Sequence, residues 1–129
     1  MLADFLSRPG IVSHTEFPFL WRMDDRNCLD GMIDLILIDP AAGRALLIDW
    51  KTNRISRREQ DALRARYRPQ IAAYWKAIGE RTKLEVDAAI FATATGVFVG
   101  YEPSELAAEW KRLQSLPGDE LRNEISETG

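Results

Sequence analysis

The sequence predicts an α/β fold in which a mixed central β-sheet is flanked by helices. Two observations lead to this prediction. The first 51 residues contain three largely apolar segments separated by short turns, a pattern typical of an antiparallel three-stranded meander. A long segment with apolar residues at helical spacing follows, and two further short apolar segments come after it. A helix between strands returns the chain to the sheet and covers one of its faces, so a layered α/β arrangement is expected.

The first strand is expected from His14 to Met23, after a helical turn over residues 3–7 that Pro9 and Gly10 end. Pro18 lies inside this strand and favours an edge position or a bulge, because proline cannot donate a ladder hydrogen bond. Residues 24–27 are predicted to form a turn.

The second strand is expected from Cys28 to Ile38 and the third from Arg44 to Lys51, joined by a hairpin loop over residues 39–43. After Gly31 the second strand is apolar on both faces, which indicates a sheet covered on both sides.

The long helix is expected from Ser56 to Glu80, and Ser56 with Glu59 has the spacing of a capping box. Its apolar positions recur every three or four residues. Pro69 inside the helix predicts either a kink or two helices that meet there.

The last strands are expected over Leu84–Ala92 and Val97–Tyr101, connected around Gly96, and a final helix over Pro103–Leu116. Residues 117–129 are predicted to be a polar, partly disordered tail. The domain is therefore expected to span residues 1–116.

The composition limits the class of protein. A chain of 129 residues has the size of one domain. Its longest apolar run is far shorter than a membrane span, and no basic and apolar leader opens the chain, so we expect a cytoplasmic protein without a membrane anchor. The single Cys28 excludes an internal disulfide and a multi-cysteine metal site.

The charge is unevenly distributed along the chain. The net charge is −3, but residues 51–68 contain seven basic and two acidic side chains. Such a basic segment either follows a phosphate backbone or forms a solvated helix face. On the first interpretation, Arg54, Arg57 and Arg58 are the candidate DNA-binding residues.

Three charged residues interrupt the apolar second and third strands: Asp34, Asp49 and Lys51. Charges in buried strands are costly unless they are paired or bind a metal ion. Asp34 and Asp49 are candidate ligands for Mg²⁺ or Mn²⁺, with the carbonyl of Trp50 as a third ligand, and Lys51 would then face a phosphate. In the other interpretation, Asp34 pairs with Lys51 or an arginine and Asp49 lies at an exposed strand end.

An ordered series of motifs resembles a known family. Gly31-x-x-Asp34, then Asp49-Trp50-Lys51, then a Gln70-x-x-x-Tyr74 pair preceded by Tyr67 are similar to the PD-(D/E)XK nuclease superfamily, and more narrowly to the RecB/AddA-type nuclease domains attached to UvrD-like helicases. Tyr67 itself is expected to serve in packing.

The resemblance implies a restriction-endonuclease-like fold and an exonuclease-like deoxyribonuclease that uses Mg²⁺. Asp34 and Asp49 would be metal ligands, Lys51 the catalytic lysine, and Gln70 and Tyr74 would line the site. It also implies single-stranded DNA as substrate, helicase domains in the same parent chain or complex as partners, and a role in recombinational DNA repair.

One departure from the family leaves alternatives open. Related domains take another metal ligand, often a histidine, from a helix upstream of the hairpin. Here only His14 and Glu16 are available, and both are weak candidates. The chain is therefore expected to be a fragment of a longer protein or a shortened relative. The alternatives are a catalytically inactive nuclease-fold module for DNA binding or protein docking, and an α/β domain whose charges only form ion pairs.

Overall fold

The computed structural model describes residues 2–22, 25–26, 28–52, 54 and 56–126 as a five-stranded mixed sheet flanked by helices, which confirms the predicted fold class. The elements in chain order are α1 (Leu2–Ser7), β1 (Val12–Arg22), β2 (Cys28–Asp39), β3 (Arg44–Lys51), a 3-10 turn (Arg57–Glu59), α2 (Gln60–Thr82), β4 (Glu85–Ala92), β5 (Val97–Tyr101), α3 (Pro103–Gln114) and α4 (Gly118–Ser126). The predicted turn at 24–27 and the predicted strand end at Met23 lie partly outside the described residues.

The strands lie in the sheet in their chain order, from β1 at one edge to β5 at the other. The pairs β1–β2, β2–β3 and β4–β5 are antiparallel, whereas β3 and β4 are parallel. The connection through α2 is what allows neighbouring strands to run in the same direction. Pro18 lies in the edge strand β1, as its missing donor predicts.

The long helix α2 begins as predicted, after the capping box of Ser56 and Glu59 and one 3-10 turn. It ends at Thr82, where Lys83 adopts a left-handed conformation and donates its backbone N–H to the carbonyl of Gly79. The helix continues through the buried Pro69 without interruption, so the prediction of two helices meeting there is wrong. The helix is buried in the main core between Leu63 and Ile78, and this packing offsets the backbone hydrogen bond that Pro69 cannot donate.

The two faces of the sheet are covered unequally. Helices α2, α3 and α4 pack over one face and enclose the main core. On the opposite face, named here the back face, the helix α1 contributes Phe5 to a much smaller buried cluster. The alternation of side chains places Leu20 and Met32 on this back face, and both are exposed, as are Leu6 and Trp50 beside it.

The C-terminal segment differs from its prediction as a partly disordered tail. Residues 118–126 form α4, and Leu121 and Ile125 are buried in the main core. These two residues are four apart and therefore share one helix face, although the segment as a whole is polar. Within the described residues, no helix is both long and apolar enough to cross a membrane.

Candidate active site

The candidate site lies where β2 and β3 separate. The two strands pair only as far as Leu35, which lies opposite Ile48, while β3 continues beside β4 to Lys51. Beyond this point the backbone N–H of Trp50 donates to Oδ2 of Asp34 at 2.7 Å. The Asp34 carboxylate therefore accepts the hydrogen bond that a backbone carbonyl of β2 would accept if the two strands stayed paired. This hydrogen bond holds the carboxylate at the opening between the strands.

A backbone irregularity surrounds Asp34. Ile33 and Ile36 both belong to the main core although they are three residues apart, so the alternation of β2 shifts by one position between them. Opposite Asp34 on β1 stands Glu16, with φ of 49° and no ladder pairing between the two residues. Irregularities of this kind often redirect a side chain beside a functional site.

Asp49 is buried beside a positive and a negative neighbour. The residue is 6% exposed, and its Oδ2 lies 2.7 Å from Nζ of Lys51. This contact is an ion pair without hydrogen-bond geometry, because the buried Oδ2 has no hydrogen-bond partner. Burial and hydrogen bonding with the carboxyl of Asp34 raise the pKa of Asp49 to about 6, although Lys51 acts in the opposite direction. The two carboxyls therefore resist being ionised together.

Lys51 connects the sheet to α2. Its Nζ donates to Oε1 of Gln70 at 3.3 Å, and Nε2 of Gln70 in turn donates to the hydroxyl of Tyr74 at 3.3 Å. Nζ also lies 4.2 Å from the centre of the Tyr67 ring. The structure thus brings Lys51, Gln70 and Tyr74 together with the two aspartates, as the motif series predicts.

Tyr74 approaches the backbone of β2 so closely that only glycine fits. A Cβ added at Gly31 would lie 2.9 Å from the Tyr74 hydroxyl and 3.1 Å from the Phe19 ring. Burial, followed by the negative charges of Asp49 and Asp34, raises the pKa of Tyr74 to about 12. The phenol therefore stays protonated near neutral pH. Gly31 and Tyr74, distant in sequence, are two sides of one contact.

The residues present fit a hard divalent cation. The carboxyls of Asp34 and Asp49 interact directly, and the buried Oδ2 of Asp49, which faces Lys51, lacks a hydrogen bond. Such cations prefer oxygen ligands and retain several waters, so two carboxylates form a sufficient protein contribution. No group of three histidine, cysteine or acidic side chains suited to a metal occurs in the part of the chain that the structure describes. His14 and Glu16 therefore do not join Asp34 and Asp49 in such a group.

The basic segment divides into groups with different surroundings. Arg64 and Arg68 both form ion pairs with Glu105, at 2.9 and 3.1 Å. Arg54 and Arg58 are exposed, and the side chain of Arg57 lies outside what the structure describes. The sequence prediction treated the segment as one patch and missed Glu105, because this partner comes from α3, far along the chain.

Two residues of the motif series, Tyr67 and Gly31, make contacts at the site that the motif alone did not reveal. Tyr67 lies three residues before Gln70 and seven before Tyr74, so all three share one helix face. The packing role expected for Tyr67 is correct, since the side chain is buried, but its ring also faces an ammonium group. Gly31 belonged to the motif, but its steric reason requires the position of Tyr74.

A comparison with curated proteins finds no significant match. A family model described as the PD-(D/E)XK nuclease superfamily matches residues 4–127, which include every residue of the motif series. The mixed sheet flanked by helices is consistent with the restriction-endonuclease-like fold of that superfamily, whose members are usually metal-dependent nucleases. With almost the whole chain matched, this protein belongs to the PD-(D/E)XK nuclease superfamily.

Proposed function

We propose that this chain is a deoxyribonuclease that hydrolyses phosphodiester bonds with Mg²⁺ or Mn²⁺. The observation that carries the proposal is the convergence of Asp34, Asp49 and Lys51 at the opening between β2 and β3. Membership of a nuclease superfamily supports the same reaction class.

Each residue has a distinct role in this proposal. Asp34 and Asp49 would hold the cation, with the carbonyl of Trp50 as a third protein ligand. A divalent cation bound there supplies a Lewis acid and lowers the pKa of a water molecule. Lys51 would contact the scissile phosphate and stabilise the negative charge that develops on it.

Gln70 and Tyr74 support Lys51 rather than the cation. Gln70 accepts from the ammonium of Lys51 through its carbonyl oxygen, and its amide donates to Tyr74. The ammonium of Lys51 can only donate, so it fixes the carbonyl end of the Gln70 amide towards itself, and the Tyr74 hydroxyl accepts from the other end. The proposed role of Gln70 and Tyr74 is therefore to orient the lysine within the site.

The proposed substrate is single-stranded DNA, cleaved in an exonuclease-like manner. Arg54, Arg57 and Arg58 would contact its phosphates, and the exposure of Arg54 and Arg58 supports this role. The strandedness of the substrate and the exonuclease-like action rest on the motif resemblance to RecB/AddA-type domains.

We further propose that the domain works beside helicase domains, in the same parent chain or complex, in recombinational DNA repair in the cytoplasm. The back face supports such an attachment. Leu6, Leu20, Met32 and Trp50 are all exposed there, and Trp50 is 46% exposed. Exposed apolar side chains gathered on one face of a sheet are typical of a face that packs on another domain.

A specific observation favours a second candidate, a nuclease fold that binds DNA or a protein partner without cleaving DNA. Only two acidic side chains converge at the site within the described residues. If a third protein ligand is essential in this branch of the superfamily, the site would bind a cation too weakly for turnover.

The experiment that tests the proposal is cleavage of end-labelled single-stranded DNA by the purified chain with Mg²⁺ or Mn²⁺. We expect cleavage that chelation by EDTA stops and that Asp49→Ala abolishes, because this substitution removes half of the proposed carboxylate pair. Asp87→Ala is the matched control, since Asp87 pairs with Arg44 away from the site.

The outcomes separate the two candidates. Cleavage that persists in Asp49→Ala would place the reaction elsewhere and refute the site. A wild-type chain that binds DNA without cleaving it in either metal would favour the second candidate.

A further inference from the structure

The aromatic ring beside Lys51 has an unusual position for a core residue. Tyr67 is 1% exposed, and its ring centre lies 4.2 Å from the ammonium nitrogen of Lys51. The guanidinium of Arg66 lies 5.2 Å from the same ring. A cation within about 6 Å of a ring centre is attracted by the negative face of the π-system.

Among the described residues, the ammonium of Lys51 lies beside a carboxylate, an amide oxygen and this ring. The carboxylate belongs to Asp49, which is also a proposed cation ligand. A divalent cation held by Asp49 would repel the ammonium group and compete with it for the carboxylate oxygens, so the ion pair alone would hold Lys51 poorly in a metal-loaded site.

We propose that Tyr67 is a positioning residue for Lys51, and that its ring keeps the ammonium at the site by a cation–π interaction. The inference rests on the proposed function and deepens it by adding a residue to the catalytic arrangement. The ring suits this task because it attracts an ammonium group without offering an oxygen ligand from its face. A lysine on a flexible four-carbon stem otherwise has many conformations that point away from a substrate.

Burial makes the interaction stronger than its exposed counterparts. Cation–π contacts strengthen when water is excluded from them. The Lys51 side chain is only 13% exposed, and Tyr67 is held in place by the packing of α2 on the sheet. The ring is therefore fixed, and it limits where the more mobile lysine can lie.

The first test is an NMR measurement that begins with the wild-type chain and does not depend on catalysis. The ring current of Tyr67 should move the NMR signals of the Lys51 ε-protons upfield, and Mg²⁺ should leave this shift in place. Tyr67→Phe should keep the shift and Tyr67→Leu should remove it. Lys51 ε-protons at ordinary positions in the wild type, or a shift lost on adding Mg²⁺, would overturn the proposal.

The second test is a double-mutant cycle with Tyr67→Leu and Lys51→Met, followed by urea unfolding without metal and by DNA cleavage. If the ring holds the lysine, Tyr67→Leu should lower the unfolding midpoint less in the Lys51→Met background than in the wild type. In cleavage, Tyr67→Leu should lower kcat roughly 2- to 30-fold, the range expected for a partly buried cation–π contact, with Mn²⁺ affinity unchanged. Tyr67→Phe should restore kcat.

The two tests distinguish a failure of the Tyr67 proposal from a failure of the proposed nuclease function. Additive losses in unfolding, or a Tyr67→Phe variant as impaired as Tyr67→Leu, would contradict the positioning role of the ring. An inactive wild-type chain would contradict the proposed function but leave the NMR and unfolding results to decide the Tyr67–Lys51 contact.

Discussion

Asp49 occupies a position that destabilises the folded chain near neutral pH. Its pKa is raised to about 6 in the folded protein, mainly by burial, whereas a carboxyl in an unfolded chain titrates near 4. Below pH 4 the residue is protonated in both states and has no effect on stability. Between pH 4 and 6 the unfolded state loses its proton first, so stability falls as the pH rises. Above pH 6 the loss is complete, at about 3 kcal/mol.

The first residue-scale prediction concerns Asp49→Asn. This variant should be more stable than the wild type by about 1–3 kcal/mol at pH 8, and nearly equal to it at pH 4, because it removes the buried charge. Urea unfolding in EDTA at both pH values measures the difference. Asp87→Asn should show no such gain, because Asp87 forms a 2.7 Å ion pair with Arg44. Equal effects of Asp49→Asn at pH 4 and pH 8 would contradict the raised pKa.

At this scale the sequence identified which residues meet but not how they meet. Asp34, Asp49 and Lys51 were predicted because charges are rare in apolar strands. The hydrogen bond from the Trp50 backbone to Asp34 was not predictable, since it depends on where β2 and β3 separate. The sequence left two interpretations of Asp49 open, a ligand beside Asp34 or an exposed strand end, and the structure buries Asp49 beside Asp34.

At the scale of the elements, β2 and α2 are fitted together through Gly31 and Tyr74. The hydroxyl of Tyr74 occupies the space of a side chain at position 31, and the Phe19 ring packs at its flank. The contact fixes the distance of α2 from the sheet, and with it the distance from Gln70 to Lys51.

The prediction at this scale is that Gly31→Ala destabilises the fold by about 1–3 kcal/mol, because the new methyl group overpacks a filled space. Tyr74→Phe in the same chain should recover part of that loss, since it removes the atom nearest to the added methyl group. Gly96→Ala controls for a glycine replaced in open space, although its φ of +73° adds backbone strain of its own. Thermal unfolding of Gly31→Ala, Tyr74→Phe, the double variant and Gly96→Ala measures these effects. If the stability losses of Gly31→Ala and Tyr74→Phe simply added in the double variant, the contact would not couple positions 31 and 74.

The elements with clear periodicity were predicted within a few residues. Strands β3 and β5 coincide with their predicted bounds, because turn residues mark both ends of each. Helix α4 was missed because its apolar positions, Leu121 and Ile125, are too few to outweigh a polar segment. Its stability comes from burial in the main core, which only the complete fold supplies.

At the scale of the whole molecule, the surface carries both exposed arginines and exposed apolar side chains. The exposed Arg54 and Arg58 lie in the connection between β3 and α2, whereas Leu20, Met32 and Trp50 mark the back face. Glu105 neutralises part of the basic segment by pairing with Arg64 and Arg68. The charge distribution along the sequence therefore overstated the basic surface that is free to meet a phosphate backbone.

The prediction at this scale is that Arg58→Ala weakens binding of single-stranded DNA and makes the logarithmic salt dependence shallower by about 0.7, the value for one phosphate contact. Arg57→Ala should add to this effect. Lys111→Ala removes the same charge from the exposed face of α3 and should change neither quantity. Fluorescence anisotropy at several salt concentrations in EDTA measures both. An equal loss of DNA affinity in Lys111→Ala would show that the total charge of the chain, and not the basic segment, determines binding.

The most direct test of the proposed metal-dependent site is calorimetric titration of Mn²⁺ into the chain, into Asp34→Ala and into Asp49→Ala. The wild type should bind, and each substitution should abolish binding, because the two carboxylates form one site. Binding that survives in either variant, or a wild-type chain that binds no Mn²⁺, would contradict a metal site at the opening between β2 and β3.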